Sequence, residues 1–266
     1  MIVFPNAKIN IGLKVVGKRV DGFHDLESIF YPINWCDVLE INPDKKFQFY
    51  STGLKINGSL ESNLVVKAFK IIQKNYDIPN VNIHLHKQIP MGAGLGGGSS
   101  DGSFTLTALN QLFNLNIPIL DLEKMADSLG SDCPFFIENT PKFVSGKGNK
   151  MMPSNLDLSG FYIKLINPNI HISTANAFKG IRFNSTTNEL NHLNLSDFIA
   201  NPLIITNDFE ETIFIAYPKL NGIKNKLLKE GAFYASMTGT GSTIYGLFKE
   251  KPETTFDSFT EKIIRL

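Results

Sequence analysis

Apolar and polar residues alternate along AKINIGLKVVG near the N-terminus, along DVLEI (37–41) and along VNIHLH (81–86). Period-two alternation with β-branched residues predicts half-buried strands. Gly17, Asp21-Gly22 and Pro32 supply turns between the first of them. A longer period takes over from about Asn63 to Tyr76, where Val65, Ala68, Phe69 and Ile72 fall at i, i+3, i+4 and i+7 behind Ser62 or Asn63 as cap, which predicts a helix. Phe104, Ala108 and Leu112, with Leu109 and Phe113 beside them, predict a second helix. MMPSNLDLSG (151–160) has no period and precedes FYIKLINP, a new strand, so a domain boundary is expected at about residue 155, giving 1–155 and 156–266. Beyond it the pattern predicts helices at 209–216 and 217–230, strands in AFYASMTG and STIYGLF around the turn TGTGS, and a final helix over 254–264. The polar stretch 183–195 (FNSTTNELNHLNL) reads as an exposed excursion. Strands and helices in this order, without a regular βαβ repeat, place the chain in the α+β class.

Composition narrows the function classes. With 266 residues and 42% of them hydrophobic, the chain builds one large or two small cores and is not disordered. The 26 basic and 25 acidic side chains leave a net charge of +1, which supplies no electrostatic reason to expect nucleic acid or an anionic membrane as partner. No apolar run approaches the roughly 18 residues that span a bilayer, and MIVFPNAKIN lacks the blocks of a signal peptide, so a cytoplasmic protein is expected. Cys36 and Cys133 show neither CxxC nor Cys/His spacing, which gives no disulfide framework and no structural zinc.

The 21 glycines are unevenly spread, and five of them fall within MGAGLGGG (91–98), just before Ser99, Ser100 and Asp101. Glycine loses the most backbone entropy on folding, so such a cluster points to a use for bare backbone. Between a strand and a helix that use is phosphate binding: consecutive N–H groups approach the anion, and the helix N-terminus adds about half a positive charge. A plain turn with Ser99 or Ser100 as cap needs one serine and no glycine run. Gly92, Gly94 and Gly97 satisfy G-x-G-x-x-G, the pattern of a nicotinamide-dependent dehydrogenase, but KQIPM separates the loop from its strand and no acid ends a following strand. The pattern G-x-x-x-x-G-K-[ST] fails because Gly98 stands where lysine is required, and protein-kinase signatures are absent.

PMGAGLGGGSSDGS (90–103) resembles the ATP-binding motif of the GHMP kinases. PNAKINIGLKVVGKRVDGFHDLESIF (5–30) is similar to the substrate-side motif of the branch that acts on a cytidine-diphosphate-linked methylerythritol. SMTGTGSTIYGLF (236–248) resembles the family's C-terminal glycine motif, with LGSDCPFFI (129–137) and GKG (146–148) between them in the family's order. The resemblance implies a two-domain fold: an N-terminal ribosomal-protein-S5-like α/β domain with a left-handed βαβ unit, and a C-terminal ferredoxin-like domain. It implies phosphorylation of the substrate's 2-hydroxyl by ATP with Mg2+; a kinase for another alcohol, mevalonate or homoserine, and a nucleotide-binding module without turnover are the other readings.

Residue by residue, the resemblance makes Asp132 the base that takes the hydroxyl proton and Lys8 its cationic companion. Taken alone, Asp132 reads as a turn or cap before Pro134 and Lys8 as a strand lysine. Asn10 shares the strand face of Lys8 and is expected to hydrogen-bond the substrate or order the aspartate. His24 and Phe178 match the cytosine contacts, and Phe23 stands where tyrosine is usual, keeping stacking and losing a hydroxyl. Gly239 and Gly241 are expected to bring backbone to the substrate diphosphate or simply to make the hairpin turn. For ATP the implied set is Pro90, Met91, Gly92, Ala93, Gly94, Leu95, Gly96, Gly97, Gly98, Ser99 and Ser100, with Asn63 and Lys87 near the adenine. Ser100, or Ser99, is the implied metal contact. Gly102 replaces the more usual alanine.

Overall fold

A computed structural model describes residues 1–179, 181, 190–256 and 258–266. In chain order the strands are β1 (Ile2–Val3), β2 (Asn6–Lys18), β3 (His24–Cys36), β4 (Val38–Pro43), β5 (Gln48–Gly53), β6 (Val81–Lys87), β7 (Lys142–Ser145), β8 (Lys150–Pro153), β9 (Tyr162–Asn167), β10 (Tyr234–Met237), β11 (Ile244–Phe248) and β12 (Thr260–Arg265). The helices are α1 (Leu64–Asn75), α2 (Gly97–Leu112), α3 (Ile119–Leu129), α4 (Phe135–Glu138), α5 (Thr174–Phe178), α6 (Leu195–Ala200), α7 (Phe209–Ala216) and α8 (Pro218–Lys229). They form two compact units, one of Met1–Ala7, Trp35–Met91 and Gly96–Thr140, the other of Lys8–Asn34, Gly92–Leu95 and Pro141–Leu266.

In the first unit four strands pair in the order β1-β4-β6-β5. β5 runs parallel to β6, from Gln48↔Asn82 to Gly53↔Lys87, and α1 makes the crossover that a parallel pair requires. α1 begins where the pattern places it, because the Asn63 side chain accepts the Val65 N–H at 2.9 Å. Its inward residues Val65, Ala68, Phe69 and Ile72 pack with Leu39, Ile41, Ile83 and Leu85 of the sheet and Leu106 and Leu109 of α2. Gly102 has a packing reason: a Cβ there would stand 3.0 Å from the Leu64 Cβ, so the glycine lets α2 close on the start of α1.

In the second unit the sheet β10-β11-β9-β12 is antiparallel throughout, with α7 and α8 between β9 and β10, which is the strand order of a ferredoxin-like fold. The helix expected over 254–264 is not formed. Residues 260–265 are instead β12, paired with β9 from Thr260↔Asn167 to Arg265↔Tyr162. A short run such as Ile263-Ile264 carries no period, and the open edge of β9 decides for a strand. Glu261 on that strand meets the buried Lys164 ammonium at 3.1 Å.

A further sheet, β2-β3-β7-β8, completes the second unit. Gly17 and Pro32 lie inside β2 and β3 rather than in turns; only Asp21-Gly22 turns the chain. Pro32 is accommodated because the pairing of β3 with β7 ends at Phe30↔Lys142. Of the stretch expected as an exposed excursion, 183–189 lies outside the described residues. In the rest, Asn191, His192 and Asn194 are exposed as expected, while Leu190 and Leu193 are buried and Asn194 caps α6, accepting the Asp197 N–H at 3.0 Å. Leu190 packs where β2 presents Gly12, whose added Cβ would meet it at 3.2 Å.

Candidate functional site

The glycine loop leaves β6, turns through three glycines of positive φ (Gly92 +63°, Gly94 +80°, Gly96 +68°) and enters α2 at Gly97. Each of these backbones resists a side chain. Gly94 is the most constrained, since a Cβ would fall 2.0 Å from the Thr238 carbonyl oxygen. Gly98, by contrast, has open space where a Cβ would go. The first turn of α2 presents N–H groups with no intrahelical acceptor, the geometry that suits a phosphate. Ser100 is fully buried and its hydroxyl has no hydrogen-bond partner.

Within the first unit, Asp132 sits half-buried in the turn between α3 and α4. That turn is held from α2, where Ser103 donates to the Cys133 carbonyl at 2.7 Å. Burial pushes the Cys133 thiol up to about 11, against a hydrogen bond with Ser99 that lowers it. Lys87 is also in this unit, its side chain 1% exposed, and its ammonium bonds to both Asp37 and, at 2.7 Å, Asp101. Burial raises the Asp101 carboxyl well above the ordinary range, and Asp37 adds to the rise while Lys87 opposes it. Asn63 spends its side-chain oxygen on the helix cap.

Within the second unit, Lys8 is buried on β2, with its ammonium 2.6 Å from Asn10 Oδ1 and 4.3 Å from the centre of the Phe30 ring. Asn10 is held from every side. Its Nδ2 donates to Ser28 Oγ (2.9 Å), its N–H to Thr238 Oγ1 (3.1 Å), and its carbonyl accepts from the Tyr245 hydroxyl (2.7 Å). Thr238 also donates to the Gly94 carbonyl at 2.9 Å, so the TGTG turn, the glycine loop and the Lys8 strand share one network. Burial pushes the Tyr234 hydroxyl, which accepts the Gly12 N–H, up to about 12, and raises that of Tyr245 well above its ordinary value, so both phenols stay neutral. Gly239 and Gly241 both have positive φ; an added Cβ would stand 3.2 Å from the Gly94 Cα at Gly239 and 2.7 Å from Met237 Sδ at Gly241.

The aromatic residues singled out from the sequence come together. His24 and Phe178 stack with ring centres 4.4 Å apart at 16°, and Phe209 closes on Phe178 edge-on at 4.9 Å. Phe23 stays exposed, with Lys147 of the GKG segment 5.7 Å above its ring. Sequence reasoning missed Ser28, Thr238 and Tyr245, which order Asn10, and Asp37 and Asp101, which hold Lys87. Ser28, Thr238, Tyr245 and Asp101 all lie inside the family-like motifs 5–30, 236–248 and 90–103; Asp37 carries no local signal. Among the described residues no cluster of three or more His, Cys, Asp or Glu side chains is arranged for a metal ion, and no helix is long and apolar enough to cross a membrane.

The GHMP kinases N terminal domain family matches residues 63–139, and the GHMP kinases C terminal family matches residues 189–263. Together these matches cover more than half of the chain, and it belongs to the GHMP kinases, as a small-molecule kinase. Over nearly its full length it is similar to proteins named 4-diphosphocytidyl-2-C-methyl-D-erythritol kinase. The protein of that name from Azobacteroides pseudotrichonymphae is 48% identical over 264 residues, 97% of each chain. The one from Cytophaga hutchinsonii is 45% identical, over 96% of this chain and 94% of its own. A crystal structure of 4-(cytidine 5'-diphospho)-2C-methyl-D-erythritol kinase superposes with a TM-score of 0.78 at 28% identity, over 93% of this chain and 90% of that one. Family membership brings ATP as phosphoryl donor and a small molecule as acceptor, and it removes the dehydrogenase reading of the loop.

Proposed function

We propose that this kinase transfers the γ-phosphoryl group of ATP to the 2-hydroxyl of 4-diphosphocytidyl-2-C-methyl-D-erythritol, giving the 2-phosphate and ADP on the non-mevalonate route to isoprenoid precursors. The observation that carries the choice of substrate is the stacked His24–Phe178 pair. A π-face beside a ring nitrogen is what a cytosine needs for stacking and edge recognition, and a mevalonate or homoserine acceptor has no base to use it. Phe23 offers a second exposed ring, and Gly239 and Gly241 offer bare backbone to the diphosphate.

Asp132 accepts the hydroxyl proton as the oxygen attacks phosphorus. Lys8 neutralises charge on the transferring group, its ammonium aimed by Asn10. Residues 90–100 wrap the phosphates, Asn63 stands by the adenine, and Lys87 serves at the foot of the loop. Ser100 is the residue that would hold Mg2+: its buried hydroxyl is a hard oxygen without a partner, the donor kind magnesium takes beside phosphate oxygens. When bound, magnesium supplies charge neutralisation on the phosphates. The family's N- and C-terminal domains are assigned to 1–155 and 156–266, and the reaction to the cytoplasm, with no nucleic acid or membrane partner.

The test is ADP release across a panel of acceptors. Release is expected with the cytidine-linked substrate and inhibition with free cytidine nucleotides; release with mevalonate or homoserine alone would overturn the substrate. Asp132→Asn should lower kcat by roughly 10²-fold or more with ATP binding retained, and full activity in that variant would remove the proposed base.

A further inference from the structure

We infer that Asp37, Lys87 and Asp101 form a positioning triad that fixes both ends of the phosphate loop, and that the Lys87 ammonium acts through this triad rather than by touching the nucleotide. The inference rests on the reading of residues 90–100 as the ATP loop. Lys87 is the last residue of β6, from which the loop departs, and Asp101 lies on α2, where the loop ends. The ion pair between them, 2.7 Å long and almost fully buried, therefore staples the two ends of the excursion. Asp37 holds the departing end: one carboxylate oxygen bonds the Lys87 ammonium and the other accepts the N–H groups of Gln88 and, at 2.9 Å, Ile89.

Gly97 completes the fit. A Cβ there would stand 3.0 Å from Lys87 Nζ and 2.8 Å from Ile89 Cγ2, so the first turn of α2 rests directly on the ammonium and its neighbour. An ammonium 1% exposed between two carboxylates has no path to an adenine in solvent. It is placed instead to set where the free N–H groups of residues 97–99 point, while that of Ser100 bonds the Gly96 carbonyl at 2.9 Å. Preorganised donors act by geometry, and an error of about 1 Å costs on the order of 10²-fold. The Asp101 oxygen not bonded to Lys87 has no partner, so an amide in its place keeps the acceptor the triad uses.

The experiment measures ATP binding to the whole protein by calorimetry without acceptor, and steady-state KM for ATP and for the acceptor. Asp101→Ala and Lys87→Met are expected to raise the ATP Kd and KM tenfold or more, with acceptor KM within threefold. Asp101→Asn is expected to bring ATP KM back to within threefold of wild type. Gly97→Ala, which crowds the triad and removes none of it, is expected to raise ATP KM tenfold. If Asp101→Ala or Lys87→Met fails to fold, Asp101→Asn and Gly97→Ala decide. Unchanged ATP affinity in Lys87→Met, Asp101→Ala or Gly97→Ala, or an Asp101→Asn no better than Asp101→Ala, would overturn the triad. A wild type that binds no ATP would overturn the phosphate reading of the loop and the triad with it, and so distinguishes the two failures.

Discussion

The Lys8 ammonium takes its direction from Asn10, and Asn10 takes its own from three further side chains. Its oxygen lies 2.6 Å from the Lys8 ammonium, while Ser28, Thr238 and Tyr245 fix its other polar atoms. Replacing Asn10 by Leu removes this acceptor and with it the contact that aims the ammonium, so kcat should fall at least tenfold while ATP affinity holds; calorimetry beside a kcat measurement checks the split. Cys133, next to the proposed base, carries a different prediction. Its thiol is buried and titrates at about 11. An acid whose folded pKa is raised keeps its proton on folding, so it subtracts stability as pH climbs from the ordinary thiol value of about 8.5 to 11. At pH 8 the thiolate is scarce, so a disulfide reagent should titrate at most one of the two cysteines until denaturant is added, and fast reaction of both would contradict the burial.

At the scale of elements, close approach matters more than propensity. Gly94→Ala would drive a methyl to 2.0 Å from the Thr238 carbonyl and hold alanine at a φ of +80°, so it should disrupt the network and reduce ATP affinity strongly. Gly102→Ala tests the opposite sign. Alanine in a helix gains up to about 1 kcal/mol over glycine, yet its Cβ would meet Leu64 at 3.0 Å, so the urea midpoint should not rise. Lys164 is fully buried with Glu230 at 2.8 Å and Glu261 at 3.1 Å; Lys164→Met takes the shared cation from two carboxylates that keep bonds to Thr255 and Phe256, and should cost up to about 3–5 kcal/mol in a urea titration.

The same scale separates what could be read along the chain from what could not. α1 was legible because its stripe and its Asn63 cap are local signals, and the strand, glycine loop and α2 were legible because glycine is informative about backbone. β12 was not, since its partner is β9, about a hundred residues earlier. The His24–Phe178 pair was legible only through family likeness, because neither residue signals the other across the chain. The Asp37–Lys87–Asp101 cluster was hidden for the same reason: an aspartate after a strand looks the same whether it faces water or a buried lysine.

On the scale of the whole molecule, the N-terminal strand β2 ends up among partners from the far end of the sequence. Leu13 and Val15 belong to a core with Ile166, Phe209, Leu220 and Ile244. Asn10 meets Thr238 across 228 positions and Tyr245 across 235. A ribosome adds about 5–20 residues per second, so Asn10 waits roughly 10–45 s for the first of these partners to be made. Through that interval β2 is an apolar strand without its cover, which is the kind of segment that chaperones hold and that aggregation finds first. The geometry that aims Lys8 in the finished enzyme thus makes the nascent chain dependent on protection, and depletion of ribosome-associated chaperones should lower the soluble yield.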